Sequence, residues 1–178
     1  SATCLYAGIV ADTGSFRFPS TTSRTLRIGS ELIEYGVNVT DIFEKLHNNF
    51  QFNRLKLLGT TINNFKRIDD LPVLYSSISD EEQKIRNFRK GDSEGFVNFG
   101  LSVEGIKCSV VFIEKSNDGI IKISFRSKGD FKVNIFANKY FNGGGHEYAA
   151  GGISKLSLND TINKFINDIK EFIKENYD

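Results

Sequence analysis

The chain is organised around Phe141-Asn142-Gly143-Gly144-Gly145-His146-Glu147-Tyr148-Ala149-Ala150-Gly151-Gly152. Just before it, apolar residues recur at the spacing of one helix face: Val133, Phe136, Ala137, Tyr140 and Phe141. The three consecutive glycines can end this helix and bring bare backbone N–H groups close to a ligand. If residues 146–150 open another helix, its first N–H groups join those of the glycines, and we expect an anion site with the imidazole of His146 at its edge. The alternative is a glycine cap followed by a surface histidine.

Composition and charge limit the partners of the chain. Its 178 residues are 39% hydrophobic and 25% charged, with a formal net charge of +1. This balance provides no basic surface for long nucleic acids and no polybasic anchor for a membrane, whereas a small anion in a pocket remains compatible. Cys4 and Cys108 lie far apart, without a secretory leader or an apolar run of transmembrane length. We therefore interpret both as buried, unpaired thiols of a cytoplasmic protein.

The first residues point to a carboxylate site. The apolar run of residues 2–10 leads into Ala11-Asp12-Thr13-Gly14, which places Asp12 where a buried segment emerges into a turn. Carboxylates at such positions commonly bind a metal or a substrate. The alternative is an Asx turn, in which Asp12 accepts a hydrogen bond from the N–H two residues on. Because the chain contains no methionine and opens directly on this run, we also expect it to be a piece of a longer protein.

Three helices are expected next. Residues 20–23 can cap the first and Thr40 the second, while the third spans about residues 51–63. The third helix carries an apolar stripe formed by Phe52, Leu55, Leu58 and Ile62. Together the stripes exceed what so short a segment can bury alone, so we expect a packing partner upstream. We interpret His47, at the polar end of the second helix, as an exposed helix residue.

The rest of the chain predicts a sheet closed by a helix. Residues 71–79 read as one strand, and residues 106–127 as a hairpin that turns at Ser116-Asn117-Asp118-Gly119. Residues 152–154 are expected to re-enter the sheet after the glycines. The last helix has one apolar stripe, which we interpret as core packing: Ile162, Phe165, Ile166, Ile169, Phe172 and Ile173.

Within the hairpin, Arg126 is a candidate phosphate ligand. Strand alternation places Lys122, Ser124 and Arg126 on the face opposite the apolar residues of the same strand. A guanidinium at the end of that polar face can bind a phosphate through two N–H groups. The alternative is a solvated arginine.

Two stretches together resemble a known family. Leu5-Tyr6-Ala7-Gly8-Ile9-Val10-Ala11-Asp12-Thr13-Gly14-Ser15-Phe16-Arg17-Phe18 resembles the fourth motif of the DHH phosphoesterase superfamily. Further on, Ile123-Ser124-Phe125-Arg126-Ser127 and the Gly-Gly-Gly-His-x-x-Ala-Ala-Gly run of residues 143–151 resemble the DHH-associated C-terminal domain. The chain is similar to the short bacterial nanoRNase/pAp-phosphatase branch of that superfamily.

The resemblance implies an α/β protein in which two domains enclose a cleft. Residues 1–50 correspond to the helical tail of a DHH catalytic domain, and residues 51–64 to a connector helix. Residues 65–178 correspond to a complete α/β DHH-associated domain with a mixed central sheet, which binds the substrate. The family's catalytic domain holds two manganese ions.

The resemblance also implies roles for individual residues. Asp12 matches a metal-ligating aspartate, and Arg126 and Ser127 match residues that contact the phosphate or base of the substrate. The phosphate pocket is implied to contain Gly144, Gly145 and His146. The family's first three motifs, including its Asp-His-His, are missing from this sequence, so we expect the chain alone to be inactive.

Three functions follow as hypotheses. In the first, the parent is a manganese-dependent phosphodiesterase that hydrolyses short oligoribonucleotides, with pAp as a further candidate substrate. This chain then recognises a short single-stranded RNA or a small phosphorylated nucleotide. In the second, the chain binds a nucleotide or cyclic dinucleotide without cleaving it. In the third, it is a structural or dimerisation domain, with a second copy of the chain as the partner of its last helix.

Overall fold

The structure, a computed structural model, describes residues 1–177 and divides into two compact units, Ser1–Phe50 and the part that begins at Gln51. The first unit contains three helices: α1 (Ala2–Asp12), α2 (Ser23–Glu34) and α3 (Val39–His47). None of the helices within residues 1–177 is both long enough and apolar enough to cross a membrane.

The first unit has a small core and a large exposed apolar surface. The expected buried segment at residues 2–10 is instead a helix in which only Tyr6 and Val10 are buried. Cys4 is exposed on this helix, contrary to our expectation, and it is a free thiol. Because residues four apart lie on one helix face, α1 buries a single narrow stripe and leaves its other sides exposed.

The starts of α2 and α3 follow from local capping. Thr22 accepts a hydrogen bond from the backbone N–H of Thr25 at 3.1 Å, and the hydroxyl of Thr25 accepts one from the N–H of Thr22, as the predicted cap requires. The cap of α3 is Asn38, two residues before the expected Thr40, since its side-chain oxygen accepts from the N–H of Asp41.

The second unit is a mixed α/β fold, as predicted. Its elements are α4 (Phe52–Asn63), β1 (Lys66–Arg67), β2 (Val73–Ile78), α5 (Asp80–Ile85), α6 (Phe96–Gly100), β3 (Cys108–Lys115), β4 (Ile120–Ser127), α7 (Val133–Phe141), β5 (Gly144–His146), β6 (Ala149–Ser154) and α8 (Leu158–Tyr177). The six strands form one sheet in the order β1-β2-β3-β4-β6-β5. Strands β2 and β3 are parallel, and the other neighbours are antiparallel.

The predicted hairpin is confirmed as β3 and β4, joined by a single 3-10 turn at Ser116–Asp118 and a left-handed Gly119. Buried and non-buried residues alternate along β4, with Ile121, Ile123 and Phe125 buried. These side chains join the main core under α7 and α8. On the opposite face, a smaller cluster packs α4 and α6 against β2 and β3.

The glycine stretch folds differently from our prediction. Helix α7 ends at Phe141, and its C-cap residue is Asn142, which adopts the left-handed conformation (φ 45°), so the cap is not a glycine. The expected helix at residues 146–150 is wrong, because this segment forms β5, a tight turn and the start of β6. The backbone N–H groups of a helix N-terminus therefore do not contribute to an anion site here.

Helix α4 buries a face other than the one its apolar stripe predicted. Leu57 and Thr61 are fully buried, whereas Phe52 is 70% exposed. Leu55 and Ile62 of the same stripe are also exposed, whereas its fourth residue, Leu58, is partly buried against the cluster on this side of the sheet. The hydroxyl of Thr61 donates to the backbone carbonyl of Leu57 at 2.9 Å, so a polar residue can lie on the buried face.

The main core is built around aromatic rings. Phe136 of α7 lies at its centre, with its ring centroid between 4.9 and 5.9 Å from five other rings. These neighbours belong to β4, α7 and α8: Phe125, Tyr140, Phe141, Phe165 and Phe172. Most of these contacts have the edge-to-face or tilted geometry that aromatic pairs favour.

Replacing Phe136 by alanine should therefore lower the free energy of unfolding of the second unit by about 3–5 kcal/mol, because it empties the centre of the core. Urea unfolding followed by circular dichroism measures this change. Ile135→Ala, on the exposed side of the same helix turn, should change it by less than about 0.5 kcal/mol. Equal losses in the two variants would contradict the packing described.

Candidate functional site

Hydrophobic packing on the α4 and α6 side of the sheet stops at β3. Within the described chain, the buried cluster on that side contains no residue of β4, β5 or β6. The side chains that these three strands present there define what we call the open face: Lys122, Ser124, Arg126, Gly144, His146, Ala149, Gly151 and Ile153. None of them is buried.

The strand register brings two of the predicted site residues together. Arg126 pairs with Ala149, and Ala149 pairs with His146, so all three lie in one row across the sheet. Directly paired residues present their side chains on the same face. The Cα atoms of Arg126 and His146 are separated by two strand spacings, or about 10 Å. Their long side chains can therefore approach one small anion from two sides.

Arg126 is partly buried without a compensating carboxylate. Desolvation by the surrounding protein lowers the pKa of its guanidinium, and it is the only cause of that shift. Nη1 donates a hydrogen bond of 2.8 Å to the backbone carbonyl of Phe125. No acidic side chain within residues 1–177 forms an ion pair with Arg126. An anion that accepts hydrogen bonds from the remaining N–H groups of Arg126 would offset the cost of this partial desolvation.

Two adjacent glycines, Gly144 and Gly151, form a flat part of the open face, which we call the glycine floor. Gly144 pairs with Gly151, which pairs with Ser124, in the row next to Arg126. A Cβ atom at Gly144 would have no neighbour within 4 Å, and one at Gly151 would meet only a carbonyl at 3.7 Å. Neither position therefore needs glycine for packing, and their bare backbone leaves room for a ligand.

The neighbouring glycines are required by the fold itself. A Cβ at Gly143 would lie 2.1 Å from the carbonyl oxygen of Gly151, and one at Gly145 would lie 2.4 Å from that of Ala149. At Gly152, a Cβ would lie 2.9 Å from the Cβ of Phe141 on α7. These three glycines allow α7 and β5 to pack closely against β6.

The structure does not bring the side chain of Ser127 to the open face. Ser127 follows Arg126 in the strand, so its side chain points to the opposite side of the sheet, where it is 5% exposed. Its hydroxyl is buried and has no hydrogen-bond partner among residues 1–177. Its backbone N–H donates to the carbonyl of Tyr148 at 3.0 Å and holds the turn between β5 and β6.

A cavity of about 500 Å³ adjoins the edge strand β5. Gly144 and Gly145 line it together with four residues of α7: Asn134, Ile135, Asn138 and Lys139. The amide of Asn138 approaches the carbonyl of Gly143 at 3.4 Å. The predicted glycines thus border open space on the helix side of their strand as well.

Asp12 is exposed at the last position of α1. In residues 1–177, no three His, Cys, Asp or Glu side chains come together in a group that could hold a metal ion. His47 ends α3, and its Nε2 lies 3.3 Å from the hydroxyl of Ser15. The residues present do not by themselves fit a site for two manganese ions, because a lone carboxylate leaves most coordination positions unfilled.

Sequence reasoning missed part of the open face. Gly151 and Ala149 were not assigned a role, and Lys122 and Ser124 were recognised only as the polar side of β4. The alternation along β4 could have found the last two, because it places them on the same face as Arg126. Gly151 could not be found in this way, since its strand was expected to start only at residue 152.

The fold and the open face define the class of this domain. It is a mixed α/β domain in which Arg126 and His146 lie beside the glycine floor of the open face. Comparison with known families assigns this domain: the DHHA1 domain matches residues 70–175, and the chain belongs to that family. The resemblance inferred from the two sequence stretches is thereby confirmed.

Individual relatives extend over nearly the whole chain. It is 33% identical over 177 residues to the bifunctional oligoribonuclease and PAP phosphatase NrnA of Bacillus subtilis (strain 168), covering 98% of this chain and 53% of that protein. The protein of the same name from Thermus thermophilus is 33% identical over 174 residues, covering 96% and 50%. The chain spans about half the length of the curated relatives it matches.

A solved structure shows the same fold. The exopolyphosphatase-related protein from Bacteroides fragilis superposes with a TM-score of 0.91 at 36% sequence identity. The match covers 96% of this chain and 50% of that one. The names of the Bacillus subtilis and Thermus thermophilus relatives describe phosphoesterases.

Alanine at Gly151 and at Gly152 should have opposite consequences for stability. Gly152→Ala should lower the free energy of unfolding by about 1–3 kcal/mol, because the new methyl group collides with Phe141. Gly151→Ala should leave it unchanged or raise it by up to about 1 kcal/mol, because alanine loses less backbone entropy in a strand. Thermal and urea unfolding of both variants provide the measurement. A large loss in Gly151→Ala would show that this position is packed and not open.

Proposed function

We propose that the chain is the substrate-binding part of a manganese-dependent phosphodiesterase that hydrolyses short oligoribonucleotides and also pAp. The substrate binds on the open face through its terminal phosphate. Two findings support this proposal. The curated relatives are named as oligoribonucleases and PAP phosphatases, and the open face offers the donors that a phosphate needs.

The observation that carries the proposal is the uncompensated guanidinium of Arg126, in one row with His146. A phosphate between them accepts hydrogen bonds from the guanidinium and from a ring nitrogen. The glycine floor lets the sugar or base of the nucleotide lie against the backbone, where a larger side chain would exclude it. Arg126 and His146 therefore hold and orient the phosphate.

The metal chemistry belongs, in this proposal, to a longer protein that acts in the cytoplasm. Asp12 is its one metal ligand within this chain. In that longer protein, paired divalent ions would supply an activated water molecule and compensation for charge on the phosphoryl oxygens. The chain alone is expected to bind nucleotides without hydrolysing them.

A second candidate function is a nucleotide or cyclic-dinucleotide binding module without catalysis. It is favoured by the composition of the open face, which contains donors for an anion but no carboxylate. The two candidates make the same prediction for binding by this chain. They differ in whether the full-length protein hydrolyses a bound dinucleotide in the presence of manganese.

Isothermal titration of the chain with a 5′-phosphorylated diribonucleotide and with pAp tests the proposed site. Arg126→Ala and His146→Ala should each weaken binding by about 1.5–3 kcal/mol, the range for losing a hydrogen bond to a charged group. Removing manganese should leave the affinity of the chain unchanged, because the contacts described do not involve metal.

Arg67→Ala provides the matched control for charge. Arg67 lies in β1, at the edge of the sheet opposite β5, so its loss removes the same charge far from the open face. Its affinity should equal that of the unmodified chain. Near-normal affinity in both Arg126→Ala and His146→Ala would refute the proposed site, and no binding by the unmodified chain would refute the proposed role of this chain.

A further inference from the structure

The open face has a second cationic end. Lys122 lies four residues before Arg126 on β4, and it pairs with Ile153 of β6. Four residues of strand place the Cα atoms of Lys122 and Arg126 about 13 Å apart on the same face. Between them lies the row of Ser124, Gly151 and Gly144, where only one short side chain rises from the backbone. The two cations therefore stand at opposite ends of a shallow trough.

The charge of Lys122 is available to a ligand. Lys122 is exposed, and none of the ion pairs found within residues 1–177 includes it. Lys122 pairs with Ile113, two residues before Lys115 on β3, so the two lysines lie on the same face of the sheet. Desolvation and then the charge of Lys122 lower the pKa of Lys115. An anion between or beside them relieves this repulsion.

Lys115 itself is already engaged by the protein. Its ammonium group donates to the side-chain oxygen of Gln83 at 3.2 Å and lies 4.0 Å from the ring centroid of Phe88. Asp80 and Asp118 raise its pKa through their charges and so partly compensate its own. These groups line a cavity of about 570 Å³ beyond the end of the trough, in which Lys115 already has its partners within the protein.

We propose that Lys122 is a second phosphate subsite, which binds a phosphate further along a short RNA whose terminal phosphate is held by Arg126 and His146. Adjacent phosphates of a nucleotide chain are joined through a single sugar, and two such steps are needed to match the Cα separation of about 13 Å between Lys122 and Arg126. The phosphate that reaches Lys122 is therefore the third of a 5′-phosphorylated trinucleotide. A single nucleotide such as pAp does not extend to it. This inference rests on the proposed function and adds a determinant of substrate length to it.

The test compares pAp with a 5′-phosphorylated trinucleotide, titrated into the chain at several salt concentrations. Lys122→Ala should weaken binding of the trinucleotide about twofold to fivefold, as for a solvent-exposed ion pair, and leave binding of pAp unchanged. It should also reduce the salt dependence of trinucleotide binding by about 0.7 in the slope of log K against log salt, the value for one phosphate of a single strand. Lys122→Arg should restore both quantities.

Two further variants, Lys174→Ala and Arg126→Ala, distinguish failure of the subsite from failure of the proposed function. Lys174→Ala removes the same charge from α8, the helix that covers the other face of the sheet, and should change neither affinity nor slope. Equal losses for pAp and trinucleotide in Lys122→Ala would reveal a general charge effect and overturn the subsite. If Arg126→Ala weakens both ligands while Lys122→Ala weakens neither, the subsite is refuted and the proposed function stands. If Arg126→Ala also has no effect, both fail.

Discussion

Every second side chain of β4 must lie under α7 and α8, and this constraint shapes the second unit. The aromatic and branched side chains that satisfy it form the core around Phe136. The intervening residues are forced to the other face, where the buried hydrophobic cluster takes its strand residues from β2 and β3, while α6 also approaches β4. The same pleat thus produces the buried side and the open face. The partial burial of Arg126 is a cost of this arrangement, which the core on the opposite side offsets.

Close packing between α7 and β6 is the second condition for the site. Gly152 allows Phe141 to rest directly on the strand, and this contact anchors the end of α7 from which β5 follows. Without that approach, β5 could not run beside β6 in the register that aligns His146 with Arg126. The geometry of the exposed row therefore depends on the absence of a side chain at Gly152 on the buried side.

Much of this fold could be predicted from local patterns. The hairpin, the stripe of α8 and the cap at Thr22 were predicted correctly, because each depends on neighbours in sequence. Residues 146–150 were mispredicted because the two alanines among them have little preference for strands, and pairing with β4 decides the conformation of Ala149 and Ala150. On α4, the most apolar stripe was not the buried one, since burial there is set by the position of the sheet.

The candidate site, like the fold, could be predicted from local patterns only in part. The alternation of side chains along β4 correctly placed Arg126 on the polar face. The same alternation places the side chain of Ser127 on the opposite, buried face, where it cannot contact the phosphate. What the sequence could not reveal is the register across three strands that aligns Arg126 with His146. It also could not show that no carboxylate among residues 1–177 compensates Arg126, since ion pairing depends on which residues meet in space.

The strands that carry Arg126 and His146 also differ in rigidity. Arg126 belongs to an eight-residue strand with a partner on each side, whereas His146 ends a three-residue edge strand that contains two glycines. Short edge segments with little buried side chain open at low free-energy cost, so backbone amides of β5 exchange with solvent sooner than those of β4. The guanidinium is therefore a fixed reference point, while the imidazole can move toward it. A ligand that contacts both Arg126 and His146 must therefore order the edge of the sheet, and this ordering lowers the net free energy of binding.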